Sequence, residues 1–141
     1  MDFTESASFL LARVATAHKN LLEKAMGDVG LHGGQVFVLL ALWEQDGQRQ
    51  IDLAEALNIA PPTVNKTLAG LVESGFVTRA RYDDDARSTR IFLTDAGRAI
   101  KDDVEQKWLE MEEHISLDLT ETERLILPQL LVKLLGNYLN R

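Results

Sequence analysis

IDLAEALNIAPPTVNKTLAGLVESGFVTRARYDDDARSTR, residues 51–90, changes from a helical to an alternating hydrophobic period part-way along. Its first seven residues put Leu53, Ala54 and Leu57 on one helical face, and Asp52 with Glu55 three places on resembles an acidic capping box. Asn58, Ile59 and Ala60 make a brief turn. Pro61 and Pro62 then suit the first positions of a second helix, where a missing N–H removes no hydrogen bond. In that helix Val64, Leu68, Leu71 and Val72 recur at i, i+4, i+7 and i+8, which predicts a buried stripe. Thr63, Lys66, Ala69 and Gly70 point away from it, with Asn65 on the flank. Gly75 ends the helix, and residues 76–82 alternate as a strand with Val77, Arg79 and Arg81 on one side. Asp83, Asp84 and Asp85 supply a turn, and residues 89–93 return as a second strand, so the hairpin tip carries Arg87 with Arg90 close behind. Helix, turn, helix and hairpin in this order read as a winged helix-turn-helix.

The outward face of the second helix is small, polar and cationic. Such a face can enter a major groove about 12 Å wide and reach base edges. The expected DNA contacts are Pro62, Thr63, Asn65, Lys66, Arg79, Arg87 and Arg90. Thr63 suits a phosphate or a thymine methyl, Asn65 an adenine edge, and Lys66 a guanine or a phosphate. Arg87 suits the minor groove, where narrow A·T-rich segments attract guanidinium, with Arg90 serving the strand behind it.

Asp85-Ala86-Arg87-Ser88, followed by Leu93-Thr94 and Gly97, resembles the D-x-R … L-T-x-x-G signature of the MarR family of bacterial transcriptional regulators. Leu53-Ala54, Thr63-Val64, Leu71 and Gly75-Phe76-Val77 also stand where that family's pattern has them, and the resemblance extends over nearly the whole chain. Gly33-Gly34 departs from a common Pro pair before Gln35, and the hairpin tip lacks the usual Pro. The resemblance implies a mainly α fold with a small β-hairpin wing, in which N- and C-terminal dimerisation helices flank a winged helix-turn-helix. On it the chain is one MarR-like domain, with residues 1–30 and 116–141 as dimerisation helices, 49–94 as the DNA-binding lobe and 95–115 as a connecting helix. It further implies that Asp85 braces Arg87 in the wing. Two recognition helices in a homodimer would stand about 34 Å apart and require an approximately palindromic double-stranded DNA operator. The implied function is a transcriptional regulator, a repressor released by a small aromatic effector. His18, Gln35 and Trp43 either line the effector's cleft or belong to core and surface.

Outside the hairpin lobe the pattern is helical. Residues 4–26 repeat Phe9, Leu10, Val14, Ala17, Leu21, Leu22 and Ala25, and a second helix holds Val36, Phe37, Leu39, Leu40, Leu42 and Trp43. Apolar almost all round, that second helix is expected at the centre. Asp46-Gly47 ends it, and residues 49–51 are expected to add a short third strand. Thr94 caps a helix over 95–115 with Ile100, Val104, Trp108, Leu109 and Met111 on its apolar side. Thr120 and Glu123 form a capping box for a last helix, which Pro128 should kink or interrupt near Leu125. The first and last helices carry more apolar surface than a small lobe can cover, which implies a partner.

The net charge of −7 argues at first against DNA, whose affinity for proteins comes from neutralised phosphates. Its distribution reverses the inference: residues 61–101 hold seven basic and five acidic side chains, a net of +2, leaving −9 elsewhere. An acidic body on a basic reading head aligns the molecule on approach. The same acidity leaves room for the alternative of a winged-helix protein-interaction scaffold without DNA binding. At 141 residues and 45% hydrophobic, the chain suits a single globular domain; without an apolar run near the roughly 20 residues of a membrane span, it is expected in the cytoplasm. The absence of cysteine removes disulfides, thiol nucleophiles and Cys-ligated zinc. No nucleophile elbow, P-loop, HExxH or dinucleotide fingerprint is present, so no catalytic residue, cofactor or metal is expected. Glu110 and His114 share a helix face, but no two histidines are closely spaced.

Overall fold

The computed structural model describes residues 1–81 and 88–139. A short 3-10 turn, Phe3–Glu5, precedes α1 (Ala7–Gly27), α2 (Gln35–Glu44), β1 (Gln48–Arg49), α3 (Gln50–Ala56), α4 (Pro61–Glu73), β2 (Val77–Ala80), β3 (Arg90–Leu93), α5 (Asp95–Ala99), α6 (Lys101–Ser116) and α7 (Glu121–Leu139). The chain forms two compact units, residues 1–107 and residues 108 onward. It is mostly helical with one small sheet, as expected. No helix among the described residues is long and apolar enough to cross a membrane.

In the first unit α2 is central, because Val36, Val38, Leu39 and Leu42 are all withdrawn from water. It packs against α4 and β3, while α3 and β2 also pack on α4. The three strands are antiparallel in the order β1-β3-β2. Val77 stands opposite Leu93 and Arg79 opposite Ile91, and Arg49 stands opposite Arg90 on the other side of β3. Buried Val77, Ile91 and Leu93 turn one face of the sheet to the helices. The third strand forms one residue earlier than expected, because Gln50 already opens α3 while its N–H bonds the carbonyl of Thr89.

Several local expectations are met by the hydrogen bonds that define them. Pro61 opens α4. Gly75 takes φ +82 beyond its end, with its N–H bonded to Val72 and that of Phe76 to Leu71, a Schellman closure. Thr94 Oγ1 accepts from the Gly97 N–H at 3.1 Å. In the second unit Thr120 and Glu123 cap each other, with the Thr120 N–H donating to Oε1 and the Glu123 N–H to Oγ1.

Five expectations are corrected. Asp52 and Glu55 do not cap α3: the helix starts two residues before Asp52, and the cap position is Arg49, without a capping side chain. Within α4 the buried arc leans toward the flank that meets α2. Val72 therefore emerges 40% exposed, while Gly70 faces inward, where a Cβ would lie 2.7 Å from Nε2 of Gln35. The helix expected over 95–115 is two, joined at Ile100, whose ψ of −13° tightens one turn while the ladder of hydrogen bonds passes through it. Leu109 of α6 is exposed, although Ile100, Val104 and Met111 are buried as expected. Finally, of the kink or interruption expected near Leu125 the interruption is overturned, because α7 continues through Pro128 from Glu121 to Leu139.

The inward residues Val64, Leu68 and Leu71 are all at 0% exposure. Leu68→Ala should cost about 2–5 kcal/mol by lost transfer energy and a residual cavity. Val72→Ala should stay within about 0.5 kcal/mol, as surface changes do. Urea unfolding of the two variants, read at constant m, checks the contrast.

Candidate nucleic-acid interface

The arc of α4 opposite its buried residues is open to solvent: Pro61, Pro62, Thr63, Asn65, Lys66 and Ala69 are all exposed. The turn before it is sharp. Asn58 adopts φ +52, a left-handed conformation that Asn tolerates better than most residues, and the Ile59 N–H bonds back to Ala54. The turn thereby sets α4 against α3 and brings Gln50 to Asn65, whose Oδ1 accepts from Gln50 Nε2 at 3.4 Å. From β2, Arg79 Nη2 donates to the backbone carbonyl of Asn65 at 2.9 Å. Arg79 thus straps the strand to the helix. Thr67 Oγ1 donates to the Thr63 carbonyl, and Lys66 makes no ion pair among the described residues.

Arg90 opens β3 opposite Ala80, at the end of the strand ladder that adjoins the hairpin loop. Its Nη1 donates to the Gly47 carbonyl at 2.9 Å, tying β3 to the turn before β1. Across the strand pair, Arg49 Nε and Nη2 grip the Asp52 carboxylate at 2.9 and 3.0 Å. That hydrogen bond, aided by the charges of Arg49 and Arg90, holds the Asp52 carboxyl below its ordinary range, and Arg49 is raised by the same bond. Asp85 and Arg87 lie outside the described residues.

His18, Gln35 and Trp43 are not brought together by any hydrogen bond among the described residues. His18 is half-buried on α1. Gln35 is buried, with Oε1 accepting the His32 N–H at 2.9 Å, a closure that stands in for a capping side chain where Gly33 and Gly34 provide none. Trp43 Nε1 donates to the Gly97 carbonyl at 2.9 Å. A depression of about 400 Å³ instead lies between the end of α3 and the start of α4, lined by Ile51, Ala54, Ile59 and Pro61 among others. Sequence reasoning missed Gln50 altogether. Its partner is 15 residues away, and an isolated Gln at a helix start carries no signal.

The model of the MarR family matches residues 32–89. A transcriptional regulator of the MarR family from Silicibacter pomeroyi is 30% identical, with a TM-score of 0.71 over 93% of this chain and 88% of that one. This chain belongs to the MarR family. A second MarR-like structure, BpsR of Bordetella bronchiseptica, whose DNA binding is regulated by 6-hydroxynicotinic acid, superposes with a TM-score of 0.82 at 25% identity over 95% of this chain and 96% of its own. The HTH-type transcriptional regulator TtmR of Methylorubrum extorquens is 42% identical over 67 residues, 48% of this chain but only 34% of that protein's length. The protein is a MarR-family transcriptional regulator.

The second half of the MarR-like signature has a structural reason here. Thr94 Oγ1 caps α5 and also donates to the Gly75 carbonyl at 2.5 Å, while a Cβ at Gly97 would sit 2.1 Å from the carbonyl oxygen of Phe76. Gly97 is thus the residue that lets α5 close on the start of the wing. Thr94→Ala should cost about 0.5–2 kcal/mol for the lost cap. Gly97→Ala should be more damaging, since backbone must move, and thermal melting ranks the two. Asp52→Asn tests the Arg49 pair. Because the folded-state pKa of Asp52 is lowered from 3.8, its stabilisation is present above that pH and is lost as pH falls through the lowered value. The difference in stability between wild type and Asp52→Asn should therefore vanish in acid, as denaturant titrations across that range would record.

Proposed function

We propose that this protein is a sequence-specific, double-stranded DNA-binding regulator, acting as a homodimeric repressor that a small aromatic ligand releases. The observation that carries the reading is the exposure of Pro62, Thr63, Asn65 and Lys66 on a helix whose opposite side, Val64, Leu68 and Leu71, is fully buried. Burial fixes the helix, and the exposed arc is then presented without rearrangement. Arg79 and Arg90 act in this reading by tying β2 to the recognition helix and β3 to the turn before β1, with Arg87 as the wing contact and Asp85 its brace. Lys66 supplies a charge free to neutralise phosphate or reach guanine.

Dimerisation is supported by apolar surface that water would otherwise cover. In α1, Phe9, Leu10 and Val14 are exposed; in α7, Leu125 is 67% and Val132 71% exposed, together with Leu131, Leu135 and Tyr138. Exposed apolar faces of this extent mark association surfaces. On this reading residues 1–30 and 116–141 supply the dimer contacts, 49–94 the DNA-binding lobe and 95–115 the connection between them. Two lobes related by a twofold axis then read an approximately palindromic site. The likeness to BpsR supports an aromatic effector, and His18, half-buried on α1, is the sequence-derived candidate whose polar atoms are least committed to the fold.

The net charge of −7 favours a second reading, a winged-helix scaffold that binds protein and not DNA. Titration of a duplex from the region upstream of its own coding sequence, at two salt concentrations, separates them. The DNA reading expects preference over random duplex and a steep salt response, and Lys66→Ala should lower the slope of log K against log salt by about one for each phosphate that the lysine neutralises. No preference together with a flat salt response rejects it, and function surviving Lys66→Ala intact points to the scaffold. Small aromatic acids titrated into the protein–duplex complex should release the DNA.

A further inference from the structure

Arg49 serves the fold poorly. It occupies the cap position of α3, where Ser, Thr, Asp or Asn would satisfy a helix N–H, and it supplies no capping bond. In the strand pair it stands directly opposite Arg90, and like charges that face each other across strands are destabilising. One carboxylate, Asp52, answers both guanidiniums. The side chains of Arg49 and Asp52 are 44% and 45% exposed, so their ion pair contributes little to stability. It does orient the arginine. Nε and Nη2 place the side edge of the guanidinium on Asp52, which leaves Nη1 and the second N–H of Nη2, a fork that matches two phosphate oxygens. Gln50, the next residue, meets Asn65 at 3.4 Å, so the start of α3 borders the exposed arc of α4. In a helix-turn-helix whose second helix enters the major groove, the first crosses the DNA backbone.

We infer that Arg49 is a phosphate-binding residue of the DNA interface, with its end fork on the backbone beside the groove and its side edge kept on Asp52. The inference rests on the DNA reading proposed above and extends that interface from α4 to the start of α3. A contact of this kind strengthens binding to every sequence alike and carries no base preference.

The experiment measures affinity for the upstream duplex and for a random duplex at several salt concentrations, with wild type, Arg49→Ser, Arg49→Lys and Asp52→Asn, each checked by thermal melting. Serine is a preferred cap, so Arg49→Ser removes the cation without weakening the start of α3. It should make the slope of log K against log salt shallower by about 0.9 for each phosphate that Arg49 neutralises. Both duplexes should weaken by the same factor. Arg49→Lys keeps a charge and should restore the slope. Asp52→Asn breaks the ion pair from its other side and should keep the wild-type slope. A residue that only braced α3 would behave otherwise, because the two halves of the pair would then be equivalent. An unchanged slope in Arg49→Ser, or an equal loss of slope in Asp52→Asn, overturns the inference while leaving the DNA reading intact; a wild type with no site preference and a flat salt response overturns both.

Discussion

The burial of Val64, Leu68 and Leu71 is the constraint on which the remaining geometry rests. Three aliphatic side chains one and two turns apart, each removed completely from water, contribute on the order of 1.5–3 kcal/mol apiece and fix the rotation of α4 about its axis. Rotation is what matters for a reading helix. A turn of one residue, about 100° at 3.6 residues per turn, would bury Asn65 or Thr63 and bring Leu68 toward the surface. The close approach at Gly70 fixes the same angle from another side, since the Gln35 amide occupies the space that any larger residue would need. Core packing and the display of polar groups are two consequences of one helical phase.

What could be read from the sequence follows the range of the interactions involved. The Thr94 cap, the Thr120–Glu123 box and the Gly75 closure each join residues three to five apart, and each is where its residue types suggested. Order of elements, strand pairing and the reading helix also depend on local period. The acidic pair Asp52 and Glu55 misled because the same spacing occurs inside a helix as at its start. Only the backbone of Gln50, bonded to Thr89 some forty residues on, shows that α3 has already begun. Trp43 to Gly97 spans 54 residues and Gln50 to Asn65 spans 15, and neither carries a pattern in the chain.

The same distinction separates the members of the candidate site. Thr63, Asn65 and Lys66 are displayed by α4, whose period predicts which way they face. Arg79 and Arg90 were expected beside them on charge alone, yet both guanidiniums also bond backbone carbonyls, of Asn65 and of Gly47. An arginine with five donors can serve both purposes. Its long side chain makes its direction independent of strand alternation, so sequence period says less about it than about a short residue.

These polar ties also govern how the lobe can move. Trp43 of α2 holds the Gly97 carbonyl, Asp46 just beyond α2 accepts the Leu93 N–H, and Gln48 Nε2 donates back to Ala41 and Gln45. The end of α2 is therefore bonded to β1, to β3 and to the start of α5, while its buried face packs on α4. A closely packed interior has few intermediate arrangements between one seating and another. Displacement of α2 consequently acts on the reading helix and the wing root together. Local slackness at one of them would require breaking buried packing that the other shares. The internal geometry of such a lobe therefore resists being retuned residue by residue.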